Sequence, residues 1–335
     1  MAEASLIYEY IVSSMVDGEL PDNFSLTPFL EKDEGVPFAP GARDGICLNH
    51  VMPAIVSEDD EAVVARAIEA AASDDFEEAD RALFSLLEGC SPLDLAECIT
   101  RTVLEIGSSD SAIADALFTY STHLAFRSSE VDKVKLGLSI LAAFDIDSQR
   151  TRDAVLALGK YDEFTYFCIP AITTWENGND DLFALAKSVR GWGRVHAVSA
   201  LEPKTEEIRR WLLVDGVDNL VLPEYSAVAC YRKSRLAERL EGELSPEGFA
   251  GATAIIGALL SGTPMTDVME LYGPQFERAL ELYVGHAARQ EPCDCARTCL
   301  ESVAEHAANQ GWGGVVRLCE PLLGSQGACS DEGAR

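Results

Sequence analysis

Positive charge is scarce in this chain: 26 lysines and arginines face 56 aspartates and glutamates, a formal net charge of −30 over 335 residues. That balance repels phosphate backbones and removes the counterion release that drives nucleic-acid binding. Long apolar runs are missing too, and none reaches the roughly 18 residues that a membrane span needs. The opening MAEASLIYEYIV carries Glu3 and Glu9 where an export signal carries lysine or arginine. These absences predict a cytoplasmic protein with no nucleic-acid and no membrane partner. Histidine is sparse, and His50, His123, His196, His286 and His306 share no metal-ligand spacing. The chain has no G-x-S-x-G elbow, phosphate loop or H-E-x-x-H helix, and no Rossmann glycine fingerprint, haem-ligand motif or facial iron triad. No cofactor is therefore implied. Alternating strand-like runs are nearly absent; DNLVLP, Asp218 to Pro223, is an exception too short to imply a sheet.

What is present is apolar material in short helical doses. Hydrophobic residues make up 47% of the chain, enough for a large core. Ser57 before Glu58-Asp59-Asp60-Glu61, Ser91-Pro92-Leu93-Asp94, Ser129-Glu130-Val131-Asp132, Thr205-Glu206-Glu207 and Ser245-Pro246-Glu247 read as helix starts. Each pairs a capping hydroxyl with acidic residues that suit the free N–H groups of the first turn. Gly89, Gly107, Gly159, Gly216 and Gly311 read as stops, expected in the left-handed C-terminal cap. Between them apolar positions recur at three and four, as in Val134, Leu138, Leu141 and Ala142. The prediction is all-α.

Starts near Ser57, Ser91, Ser129, Tyr161, Gly191 and Pro223 are spaced by 34, 38, 32, 30 and 32 residues, at the short end of helical-hairpin repeats. In this the chain resembles the HEAT/armadillo class, an α-solenoid of stacked antiparallel helix pairs. Within Lys160 to Ala227, the WGR-HAV, L-P-T-EEIR-WLL and EY segments also resemble a bacterial HEAT-like repeat family. Residues 57–323 are thus expected to form the helical-repeat domain. Residues 1–56 contain five prolines from Pro21 to Pro53 and read as an irregular cap covering the first repeats. Residues 324–335, GSQGACSDEGAR, read as a disordered tail.

Charge is unevenly spread. Residues 1–100 hold 22 acidic and four basic side chains, a net of −18, while Lys187 to Arg239 holds ten basic and seven acidic, a net of +3. Around that reversal lie Trp175, Arg190, Trp192, Arg194, His196, Arg210, Trp211, Glu224 and Tyr225. They form a candidate patch for an acidic peptide or a small anion through arginine contacts. The competing expectation is internal pairing of these arginines with Glu206, Glu207 and Glu224. GWG occurs twice, at Gly191 and Gly311, between helical stretches, and reads as a structural joint. Cys293, Cys295 and Cys299 in CDCARTC are a weak candidate metal set of non-standard spacing, with free thiols the default in a chain lacking an export signal. The carboxylate pairs Asp162-Glu163 and Glu206-Glu207 read as helix-start charges, not dyads. The leading functional expectation is a non-catalytic protein that binds a protein or peptide partner on its concave face; the alternative is an enzyme or small-anion-binding protein using the 175–225 patch.

Overall fold

The computed structural model describes residues 6–29, 38–51, 54–108, 110–262, 271–290 and 293–324. The expected tail lies, past Gly324, outside them. Among the described residues there is no strand, only an isolated bridge between Val16 and Glu19, so the chain is all-helical. Asp218 to Pro223 is a turn in which the Asn219 side-chain oxygen accepts from the amides of Val221 and Leu222. Among the described residues no helix is long and apolar enough to cross a membrane.

Contacts divide the chain into two compact units, one up to Ala200 and one from Leu201. In the first unit, α1 (Ile7–Ser14) and α2 (Ala42–Ile46) precede α3 (Glu58–Ala72), α4 (Phe76–Ser85), α5 (Pro92–Gly107), α6 (Ser111–Arg127), α7 (Val131–Leu141), α8 (Gln149–Gly159), α9 (Asp162–Thr174), α10 (Gly178–Ser188) and α11 (Trp192–Ala200). The second holds α12 (Glu206–Val214), α13 (Glu224–Lys233), α14 (Leu236–Arg239), α15 (Pro246–Leu259), α16 (Pro274–Ala287), α17 (Asp294–Gln310) and α18 (Gly313–Gly324).

Most predicted starts hold. Ser57, Thr205 and Ser245 accept the amides of Asp60, Ile208 and Gly248, and Ser91 with Asp94 makes a reciprocal capping box. Ser129 does not cap: α7 begins one residue later, with Glu130 as its uncapped start. Among the predicted stops only Gly311 is left-handed, with φ 77°. Gly107 and Gly159 end their helices with negative φ, Gly89 follows a 3-10 turn at φ −127°, and Gly216 sits where any Cβ would meet Cys230 Sγ at 2.5 Å. Those glycines therefore serve packing or simple termination, not handedness.

In the first unit α3, α5, α7, α9 and α11 adjoin one another in chain order, while α4, α6, α8 and α10 each lie against a member of that row. The apolar stripe explains the order. Val134 through Leu141 of α7 are all buried, because α7 is covered by α5, α6 and α9 at once. Burying a large aliphatic side chain contributes roughly 1.5–3 kcal/mol, so this helix anchors the row. Ile68, Leu83, Ile99, Leu117, Tyr120 and Leu136 continue the core, and Tyr120 satisfies its hydroxyl on Asp80 at 2.8 Å. In the second unit α15 packs on α12, α13 and α17, with Phe249 stacked on Tyr283 and the Tyr283 hydroxyl on Thr253 at 3.0 Å.

Among its described residues, the segment before residue 57 lies against later helices as well as placing Val56 on the core of the first pair. Ile7 N–H donates to Ser128 O, α1 lies on α6 and α8, and Leu26 N–H donates to the Tyr161 hydroxyl. Gly41 N–H reaches Glu163 of α9, and α2 touches α11. The described residues of this segment thus form a strap against α6, α8, α9 and α11.

Candidate functional site

The strap is fastened by charge. Lys135 of α7 is 4% exposed and donates to Asp44 of α2 at 2.7 Å and to Glu163 of α9 at 2.5 Å. The other oxygen of Glu163 accepts the Gly41 amide at 2.6 Å. Burial alone would push the Lys135 ammonium down, but Glu163 and Asp44 reverse this and hold it above the ordinary lysine value. Burial pushes the Asp44 carboxyl up despite Lys135, and nearby Asp132 moves the same way for the same cause. A lysine held by two carboxylates, one of which also accepts a backbone amide, is an inward-facing cluster with little left for a ligand.

Next to it lies the first tryptophan joint. Asp162, at the start of α9, uses Oδ1 to accept from Gly193 at 2.8 Å and Gly191 at 3.3 Å, so it caps α11 in place of a local residue. Burial pushes its carboxyl up to about 6. Trp192 is 4% exposed and lies so close to Gly45 that any side chain there would collide with the indole. His196 stacks on Trp192 at 6.1 Å and meets the edge of Tyr166 at 5.2 Å. Burial pushes the imidazole down to about 4, and Nε2 has no hydrogen-bond partner among the described residues, so the ring is held neutral in an aromatic slot. Arg194 is buried on the same helix.

Tyr166 also borders a sizeable opening near this cluster. A groove of about 560 Å³ runs across α5, α7 and α9. Leu104, Ala142, Phe167 and Pro170 give it an apolar floor, and Glu97 and Glu105 stand on α5. Leu104 is 53% exposed. Arg101, between the two glutamates, is drawn off by Glu61 at 2.6 Å, and Thr100 spends its hydroxyl on the carbonyls of Ala96 and Ser139. The groove thus offers apolar surface bordered by the carboxylates of Glu97 and Glu105.

The candidate patch read from the sequence is distributed over both units. Trp175, Arg190, Trp192, Arg194 and His196 belong to the first; Arg210, Trp211, Glu224 and Tyr225 belong to the second. Trp175 is buried with Arg152 over its ring at 5.2 Å. Arg190 pairs with Asp22 at 3.6 Å and Arg210 with Glu247 at 2.9 Å, both exposed. Arg209 and Arg239 share Glu206. Trp211, Glu224 and Tyr225 are half-buried, and burial, with Glu224 adding to it, raises the Tyr225 phenol. Arg190, Arg209, Arg210 and Arg239 thus pair within the chain, with Asp22, Glu206 and Glu247 as the carboxylates. Cys299 is buried against Tyr283, whereas Cys293 and Cys295 are exposed. Among the described residues no three His, Cys, Asp or Glu side chains group as a metal set.

Sequence reasoning missed Lys135, Asp44 and the groove. The available signal was a lysine inside VKLGLSIL, an otherwise apolar helix turn, which demands a buried carboxylate somewhere in the chain. No family model, curated protein or solved structure matches this chain.

Proposed function

We propose that this protein is a helical-repeat interaction module of the α-solenoid, HEAT-like kind, and that the groove across α5, α7 and α9 seats a peptide segment of a partner protein. The observation that carries the reading is the apolar groove itself, bordered by Glu97 and Glu105 and built on helices that adjoin in chain order. Its charge commits the occupant to an apolar side chain flanked by lysine or arginine, matching an acidic host. The free thiols among the described residues fit a reducing compartment, the cytoplasm.

Panning a random peptide library against the full chain tests this. Peptides pairing a bulky apolar residue with adjacent basic ones should be enriched, and binding should weaken with salt. Leu104→Asp, at an exposed position that leaves the core intact, should lower affinity at least tenfold. Enrichment of acidic peptides, or peptides indifferent to Leu104→Asp, would sink the proposal.

A further inference from the structure

The groove leaves the CDCARTC segment unused. The helix α17 starts at Asp294, and its N-cap is Cys293, in an extended conformation with φ −132° and ψ 155°. That backbone turns the side chain back over the first helical turn, where Sγ accepts the Ala296 amide at 3.4 Å. Cys295 rises from the same turn. The two sulfurs stand 2.9 Å apart, and both residues are exposed. A disulfide bond is about 2.05 Å long, so the remaining approach is less than ~1 Å.

The pair is also electronically unequal. A hydrogen bond from Cys295, then the Ala296 amide, hold the Cys293 thiol below its ordinary value, and the dipole of a 17-residue helix acts in the same sense. Cys295 moves the other way, because Cys293 and burial both favour its protonated form. Two buried thiols of this unit offer a contrast. Burial pushes Cys299 up to about 12 and Cys319 up to about 11, and both are enclosed in the core.

We infer that Cys293 and Cys295 form a thiol–disulfide exchange site whose oxidising substrate is a small-molecule disulfide. Cys293 is the attacking thiolate. Its sulfur forms a bond to one sulfur of the substrate, whose S–S bond breaks and releases the first thiolate. Cys295, deprotonated by solvent, then attacks the mixed disulfide at Cys293 Sγ and expels the second thiolate. Two protein thiols and one disulfide become one protein disulfide and two small thiols, with two electrons passing to the substrate. A reducing dithiol runs the sequence backward.

Cystamine, a small cationic disulfide that an acidic surface does not repel, is the probe. The fully reduced full-length chain is treated anaerobically, quenched by alkylation and peptide-mapped. The 293–299 peptide should acquire an internal disulfide before half-buried Cys47 reacts. Cys295→Ser should stop at the cysteamine adduct on Cys293. Cys293→Ser keeps a good helix cap, since serine is favoured there, and should slow oxidation of this peptide on the order of tenfold or more. The inference is overturned if Cys293 reacts no faster than Cys47, or if Cys295→Ser clears its adduct like the parent. Peptide binding at the groove is unaffected by either result.

Discussion

At Gly191-Trp192-Gly193 both glycine amides are held by one oxygen of Asp162, and the indole is enclosed between the strap and His196. At Gly311-Trp312-Gly313 the first glycine takes a φ of 77° and closes α17, while half-buried Trp312 leans on His306 and Phe276. One triplet therefore serves two physical needs. In the first copy glycine is required because neighbours leave no room: a Cβ on Gly193 would stand 2.5 Å from Asp162 Oδ1. In the second it is required for handedness at Gly311, while Gly313 has nothing nearer than Arg317 at 3.5 Å. A repeated string marks a repeated place in the chain, here a helix–helix junction, without marking a repeated contact set.

Removing the tryptophans should separate the copies most. Trp192→Ala empties a fully packed site and should cost about 3–5 kcal/mol, whereas Trp312→Ala should cost about half as much, since its ring is partly solvated. Chemical denaturation of the two variants measures the difference; equal losses would erase the distinction drawn here. Next in size is the second glycine. Gly193→Ala should cost about 1–3 kcal/mol through overpacking, while Gly313→Ala, in an open helical position, should fall within about 0.5 kcal/mol of the parent.

The smallest effect concerns pH. The Asp162 carboxyl has an ordinary value of 3.8 and a folded value of about 6, raised by burial. Its contribution is thus fully present below 3.8 and lost as pH rises through 6. Asp162→Asn keeps the oxygen that accepts from Gly191 and Gly193 but cannot ionise. Its stability relative to the parent should rise by about 2 kcal/mol between pH 4 and pH 7. His196 works in the opposite direction, since a value depressed to about 4 gives stability above 6.5 that is lost as pH falls toward 4. Being present in both proteins, it drops out of the difference. Thermal melts across that range decide the matter, and a flat difference would mean that Asp162 is not titrating at the joint.

The helices were legible because their signals are local. Ser57, Ser91, Thr205 and Ser245 each act on an amide three residues away, a distance that sequence displays directly. Ser129 does not cap because the helix starts one residue later, and four of the five glycines lack the left-handed conformation because a helix can end without it. The candidate patch was legible only as composition. Charge reversal along the chain counts arginines but not their partners, and Asp22 and Glu247 lie 168 and 37 positions from the arginines they neutralise. Lys135 is the extreme case: an ion pair spanning 91 residues leaves no periodicity to read.

The strap has a consequence in time. Gly41 emerges during synthesis 122 residues ahead of Glu163, the group that receives it. At cellular elongation rates that delay is on the order of ten seconds. Until Lys135 follows, 91 residues behind Asp44, that carboxylate lacks the ammonium it faces in the fold, so the leading segment waits while α3 to α6 are made behind it. Its docking is a late, long-range closure, the kind of step that sets a slow folding phase.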